Sequence, residues 1–395
     1  MRNKKYSIAF IINNRVRISR NQREFYLSRE IKKHNIRAVW FYTHEDDLNA
    51  FFLKRFESYK INTMKKRKFK ILKWYIELVI KLRKKEIDAV WISGHSERNI
   101  FYLFLIFLML RIVGIKILYD PIDPIYEDNI VMGRIKTRSQ AFAQKNILKI
   151  IYYLTAITFV VTEELKETMI ANGFPQSRFE IAYWGIDIHR FNKRNIKNTF
   201  LKEKCNNEKF VIGWLGNMIS GKGIEEILIP LIQIIPNKIE NAYFLIGGKG
   251  RLERCFLELK EDVKCLEVAG EIPYEKAPGF TNSIDLYIVP IYEQNLFVNS
   301  IRPVKVFDAV ALGVPVLITE TKATKRLLEW FDGVTLVKPD LSSFIEKVQY
   351  VYDNYSDIKN RAKRNTAIVN GFTHQKISKD ILKKIETKII NTDTK

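Results

Sequence analysis

The chain has 395 residues, 47% of them apolar and 28% charged, a globular composition that excludes a disordered, collagenous or low-complexity protein and supplies material for two cores. Lys and Arg number 66 against 44 Asp and Glu, and the resulting charge of +22, with an isoelectric point near 9.6, calls for an anionic partner: nucleic acid, a membrane surface or a phosphorylated ligand. Three cysteines (Cys205, Cys255, Cys265) without a C-x-x-C pair cannot form a disulfide framework and fit reduced thiols in a cytoplasmic protein.

The opening MRNKKYSIAFIINNR has a basic start, but its apolar run stops at Asn13 and no small-residue cleavage site follows, so a buried strand over Tyr6–Ile12 is expected rather than a signal peptide. An amphipathic helix over Arg23–His34 and a strand over Ile36–Tyr42 come next. Then follow a helix over Lys68–Lys85, a strand at Ala89–Ser93, a helix over Asn99–Val113 and a strand at Ile115–Tyr119. Ile100–Leu110 is the most apolar stretch, but a spanning helix needs about 20 such residues, so a buried core helix is expected and no transmembrane anchor. A long helix at Ser139–Leu154, a strand at Ile157–Val161 and a helix from Glu163 complete the first half. The segment NKRNIKNTFLKEKCNNE is polar and poorly periodic, and reads as a linker.

Alternation then resumes. Strands are expected at Phe210–Leu215, Ala242–Ile246, Cys265–Val268, Leu286–Val289, Pro315–Ile318 and Val334–Val337. Helices are expected from Gly223, over Leu252–Leu259, over Val304–Leu312 and over Gln375–Ile390. The fold class is therefore α/β, with two Rossmann-like doubly wound domains facing across a cleft. Their expected limits are 1–192 for the first domain, 193–208 for the linker, 209–374 for the second domain and 375–395 for a C-terminal helix.

Charge separates the two halves: residues 1–200 carry about +19 and residues 201–395 about +3. The densest basic cluster is Lys65, Lys66, Arg67, Lys68, Lys70 and Lys73, interleaved with Phe69, Trp74 and Tyr75. Bases beside aromatic groups suit an anionic membrane surface, at about 1 kcal/mol per base. The same cluster would serve as a solvated helix face or grip nucleic-acid phosphates.

Two stretches carry chemistry. In Val211-Ile-Gly-Trp-Leu-Gly216-Asn217-Met-Ile-Ser-Gly221-Lys222-Gly223, a strand runs through a glycine loop into a helix. Glycines let backbone N–H groups approach a phosphate, and Lys222 and the helix N-terminus add positive potential. The spacing fits the start of a Walker A loop, but Gly223 stands where that loop needs a hydroxyl for magnesium, leaving a phosphate loop of another kind or a plain tight turn. In the second stretch, Ser300-Ile301-Arg302-Pro303-Val304-Lys305-Val-Phe-Asp308, Pro303 opens a helix and Gly313 closes it. Arg302, Lys305 and Asp308 then form either a phosphate-plus-hydroxyl constellation at a sheet edge or an intrahelical surface ion pair.

The ordered series VVTEEL, AYWGID–RF, the G-x-x-x-x-G-K-G loop, LIGGKG, VAGEIPYEKAPGF, IDLYIVP and RPVKVFDAVALGVPVLIT resembles the nucleotide-sugar domain of GT-B glycosyltransferases. The resemblance is to the large retaining family that includes sucrose and glycogen synthases and bacterial polysaccharide enzymes. It implies a metal-independent, retaining hexosyltransferase that takes a UDP- or GDP-linked sugar as donor substrate and needs no cofactor. By the same resemblance Gly216 and Asn217 lie at the donor, Lys222 neutralises the diphosphate, Asp308 binds the ribose, Ser300, Ile301 and Arg302 meet the diphosphate or sugar, and Ile272 and Pro273 edge the base. The family's paired acids fall at Ser300 and Asp308, and its usual arginine after the loop glycine at Asn217, with Arg302 the expected substitute. Asn14 and Arg15 replace its glycine pair after the first strand, and Asp120 and Asp123 stand where a histidine is usual.

Asn14, Arg15, His95, Asp120 and Asp123 are the acceptor-side candidates, for a glycan or lipid-linked acceptor at the inner membrane face. Asp120 and Asp123 equally suit a capping role in the turn Asp-Pro-Ile-Asp-Pro, and His95 a satisfied loop histidine. The five histidines are scattered without zinc spacing, so no metal site is expected. Two other functions compete: a non-catalytic GT-B subunit supporting a partner enzyme, and a basic nucleic-acid-binding protein.

Overall fold

The computed structural model describes residues 5–16, 22–45, 55–60, 68–93, 100–122, 125–131, 133–196, 200, 208–292, 296–300 and 302–391; within these, the side chains of 13–16, 43–45, 68–72, 127, 128, 131, 296 and 297 are not described. Cα packing divides the chain into Met1–Gly185 together with His374–Lys395, and Ile186–Thr373. The division thus falls before the polar segment 193–208, and the C-terminal helix belongs with the first unit rather than standing apart. Its apolar stripe explains this: in His374–Ile385, Ile377, Ile381, Leu382 and Ile385 are buried in one cluster with Leu27 and Ile31.

The first unit is built on a seven-stranded parallel sheet: β1 (Ser7–Val16), β2 (Arg37–Glu45), β3 (Glu57–Lys60), β4 (Ala89–Ser93), β5 (Lys116–Asp120), β6 (Ile157–Val160) and β7 (Phe179–Ile181), in the order β3-β2-β1-β4-β5-β6-β7. β4 and β6 are buried at every position because helices cover both faces of a parallel sheet. Period two divides β1 between the two layers. Ile8, Phe10 and Ile12 pack with Trp40, Trp91 and the helix Gln22–Lys33; Ala9 and Ile11 pack with Leu78, Phe107 and Tyr152. Threonine caps start two covering helices: Thr137 accepts from the Gln140 N–H before Arg138–Leu154, and Thr162 from the Leu165 N–H before Glu163–Ala171. The helix Ile100–Ile112 buries Leu103, Ile106, Phe107 and Leu110 as expected of a core helix, yet leaves Phe101 56% and Ile112 75% exposed. No described helix is long and apolar enough to cross a membrane.

The second unit repeats the plan with six parallel strands: β8 (Phe210–Asn217), β9 (Ala242–Lys249), β10 (Leu266–Val268), β11 (Leu286–Val289), β12 (Val316–Thr319) and β13 (Val334–Val337), ordered β10-β9-β8-β11-β12-β13. Each sheet reverses its winding between its first and fourth strands, β1/β4 and β8/β11, and in doubly wound sheets the crevice beyond the strand C-termini at that point receives the ligand. Edge strands β3 and β7 and the helices Ile125–Val131, Leu341–Asp353 and Tyr355–Ile368 lie beyond the elements expected from sequence; the edge segments ESYK and FEI are too short to carry an alternation. Cys255 and Cys265 are free thiols, and Cys205 lies outside the described residues.

The β8–β9 ladder runs to the very ends of both strands, pairing Gly216 with Gly248 and Asn217 with Lys249. Gly248 has φ 136°, and a methyl group there would overlap the Gly216 carbonyl oxygen. Only glycine fits. Gly248→Ala is expected to cost about 1–3 kcal/mol of folding stability. A lower urea midpoint at unchanged slope would show it, and an unchanged midpoint would refute the packing argument.

Candidate functional site

In the second unit the two chemistry-bearing stretches meet at the C-terminal end of β8. After Asn217 the loop turns through Gly221 (φ 79°) and Gly223 (φ 69°), the latter capping the helical segment that starts at Ile224. A methyl on Gly223 would crowd Pro290 and the Tyr292 N–H just past β11, so the loop lies against the switch point. Lys222, at its tip, is exposed. Across the same strand end, Lys305 reaches from the first turn of the helix Val304–Ala311, and its ammonium occupies the space a methyl on Gly216 would need, 5.0 Å from the centre of the Trp214 ring. Asp308, one turn further on, faces Asp187 and Tyr287, and the Tyr287 hydroxyl donates to the Leu215 carbonyl at 3.3 Å.

The charges here are held against their preference. Desolvation, then the Lys222 charge, lowers Lys305 to about 7, Asp308 offsetting only part. Desolvation, then the Asp187 charge, raises Asp308 to about 8. An arrangement of this kind gains from a ligand that is anionic at the lysines and offers hydroxyl groups to the carboxylate.

The Arg302 Nε donates to the Ala323 carbonyl at 3.0 Å and its guanidinium lies 4.5 Å from the Trp330 ring centre, so it ties the helix start to the segment after β12. Ser300 is buried, Ile301 lies outside the described residues, Ile272 packs on the core and Pro273 is exposed beyond β10. Asp187 escaped the reading of the sequence although it stands in the WGID–RF segment, where Arg190 bridges it at 3.6 Å.

The first unit gathers its own polar cluster at the C-terminal ends of β4 and β5. Asp120, 1% exposed, pairs with Arg23 at 2.7 Å. Arg23 also donates to the Ala182 and Tyr183 carbonyls and lies over the Trp184 ring. Asp120 is thus a buried anchor for the helix Gln22–Lys33, not an open acceptor contact, although its Oδ1 has no hydrogen-bond partner among the described residues. Burial, then the Asp120 charge, raises Glu24 beside it to about 7. His374, stacked on Tyr26, is lowered to about 3 by burial and then by Arg23. The signal was present in the sequence: Arg23, Leu27 and Ile31 repeat every fourth residue, placing a charge on the buried stripe. His95, Asp123, Lys65, Lys66 and Arg67 lie outside the described residues, the side chains of Asn14, Arg15, Lys68 and Lys70 are not described, and Lys73 is exposed.

Residues 209–354 match the family model of Glycosyl transferases group 1, which bears out the resemblance read from the second half of the sequence. The capsular polysaccharide biosynthesis glycosyltransferase CapM of Staphylococcus aureus is 25% identical over 221 residues, 53% of this chain. The match takes in 55% of CapM, so the chain spans about half the length of that relative. Among solved structures, Anabaena Alr3699/HepE in complex with UDP superposes with a TM-score of 0.73 at 12% identity, over 96% of this chain and 100% of that one. A glycosyltransferase from Rickettsia africae superposes with 0.71 at 14% identity, over 98% and 99%. The fold is GT-B.

Glu24 provides a pH test of the first-unit cluster. Its folded value lies above the ordinary 4.5, so the folded state holds the proton more tightly, and stability falls as pH rises from about 4.5 through 7. Glu24→Gln removes that loss. The variant is expected to gain on the wild type by about 2.5 kcal/mol between pH 5 and pH 8. Urea midpoints at the two pH values measure it; a stability difference that is the same at both would reject the assignment.

Proposed function

We propose that the chain is a nucleotide-sugar glycosyltransferase whose second unit binds the donor and whose first unit binds a glycan or lipid-linked acceptor. The observation that carries this reading is the convergence of Lys222, Lys305 and Asp308 on the end of β8, at a switch point within the residues that match the group 1 family. When the bond from the sugar C1 to the diphosphate oxygen breaks, negative charge grows on the leaving nucleoside diphosphate. Fixed ammonium groups and loop N–H groups stabilise it there without a divalent ion. Asp308, once ionised, accepts hydrogen bonds from the ribose hydroxyls, and Ile272 and Pro273 border the base. UDP is the favoured nucleotide, since the HepE structures hold UDP or UDP-glucose. Retention of the anomeric configuration follows from the family resemblance and is read from the product anomer.

Polysaccharide assembly at the inner face of the membrane fits the name of the capsular relative and the basic first half. In the helix Lys68–Lys84, Lys73, Ile76, Ile80, Lys81 and Lys84 are all exposed at helical spacing, a face suited to anionic headgroups. The second reading is a non-catalytic subunit, favoured by Ser300 standing, buried, where the family has an acid.

Calorimetric titration with UDP, GDP and ADP tests the donor site. Micromolar binding of UDP, weakened about tenfold or more in Lys222→Ala, is expected. Binding without turnover of any UDP-sugar, with a partner enzyme co-purifying, would favour the non-catalytic subunit; no nucleotide binding at all would sink the donor-site reading. Triple substitution of Lys73, Lys81 and Lys84 by Glu is expected to abolish sedimentation with phosphatidylglycerol vesicles at low salt, and undiminished sedimentation would remove the membrane proposal.

A further inference from the structure

We propose that Lys305 is the second phosphate-binding cation of the donor site, acting with Lys222 on the donor diphosphate. The inference rests on the donor-site reading above and deepens it by naming the side chain that fills a charge Asn217 does not supply.

Lys305 sits in the first turn of its helix and lays its ammonium over the backbone of Gly216, the loop glycine, in a space that only a residue without a side chain leaves open. The Trp214 ring beneath it, 5.0 Å away, fixes the stem and removes water from the head group. The groups that face this ammonium are Lys222 from the loop after β8 and Asp308 from its own helix; Asp187 and Tyr287, from the segment before β8 and from β11, bear on Asp308. No described carboxylate forms an ion pair with Lys305. Burial and the nearby Lys222 charge both disfavour a charged Lys305, and a diphosphate beside it would reverse that balance by supplying negative charge. Arg302, the other cation of this segment, is turned toward Ala323 and Trp330.

Proton linkage separates this role from a packing role. Free Lys305, lowered to about 7, is largely neutral at pH 8, and a bound diphosphate restores its charge, so binding takes up a proton there. Asp308, raised to about 8, releases part of one when it turns to the ribose, so the wild type shows only the difference and the variant isolates the lysine.

The experiment is calorimetry of UDP binding at pH 8 in two buffers of different ionisation enthalpy. Lys305→Met is expected to bind UDP about tenfold to a hundredfold more weakly and to take up at least about half a proton fewer than the wild type. Adding Asn217→Arg to Lys305→Met is expected to restore the affinity without the proton uptake, which a misfolded site would not allow. Wild-type affinity or wild-type proton uptake in Lys305→Met overturns the assignment, as does a double variant that binds no better than the single one. If the wild type binds none of UDP, GDP or ADP, the donor-site reading itself has failed; if it binds UDP and Lys305→Met is indifferent, only the role of Lys305 has failed.

Discussion

The second unit depends on the absence of any side chain between the ends of β8 and β9. Because Gly248 lets the two backbones meet at Gly216, the parallel ladder continues to Asn217 and Lys249, and the loop that follows leaves the sheet from a fixed point. That rigidity allows a lysine from a different helix to settle over Gly216 beside a buried tryptophan. A side chain at Gly248 would push against the Gly216 carbonyl and part the strands, and one at Gly216 would displace the Lys305 ammonium. The chemistry proposed for this edge is therefore a consequence of two hydrogen atoms in place of two methyl groups.

Both units concentrate uncomfortable charge at the same topological place, and they handle it differently. In the first, Arg23 and Asp120 neutralise each other inside the protein, and breaking such a pair costs about 3–5 kcal/mol because the survivor stays buried and charged. In the second, Lys305 and Asp308 are each pushed toward neutrality, and no described carboxylate forms an ion pair with Lys305. A closed pair of this kind serves architecture, and the contrast gives Asp120 a structural role; the ligand-binding role of the second unit's loop is the proposal made above.

Much of this was legible in the sequence, for an identifiable reason. Strands buried on both faces read as unbroken apolar runs, and the expected bounds of Ala89–Ser93, Leu286–Val289 and Val334–Val337 coincide with β4, β11 and β13. That Lys222, Lys305 and Asp308 share one sheet edge was also legible, since a glycine loop after a strand and a proline-started helix are local patterns. What was lost depends on partners distant in sequence. Arg23 and Asp120 are 97 residues apart, and nothing near Arg302 in the chain announces Trp330 beneath it. The polar edge strand ESYK pairs with β2 through its backbone and leaves no trace in hydropathy.

The chain enters the second unit at Ile186 and leaves it at Thr373, two residues that bridge to each other, and then returns to the first. Topologically the second unit is an insertion whose ends are held together, so it can close as soon as its own residues are synthesised. The first unit must wait for the helix His374–Ile385, whose buried face completes the layer over Phe10, Trp40 and Trp91. On the ribosome the order of completion is therefore the reverse of the order of synthesis. A stop codon just before that helix would strip the layer from the unit made first and leave the unit made second whole.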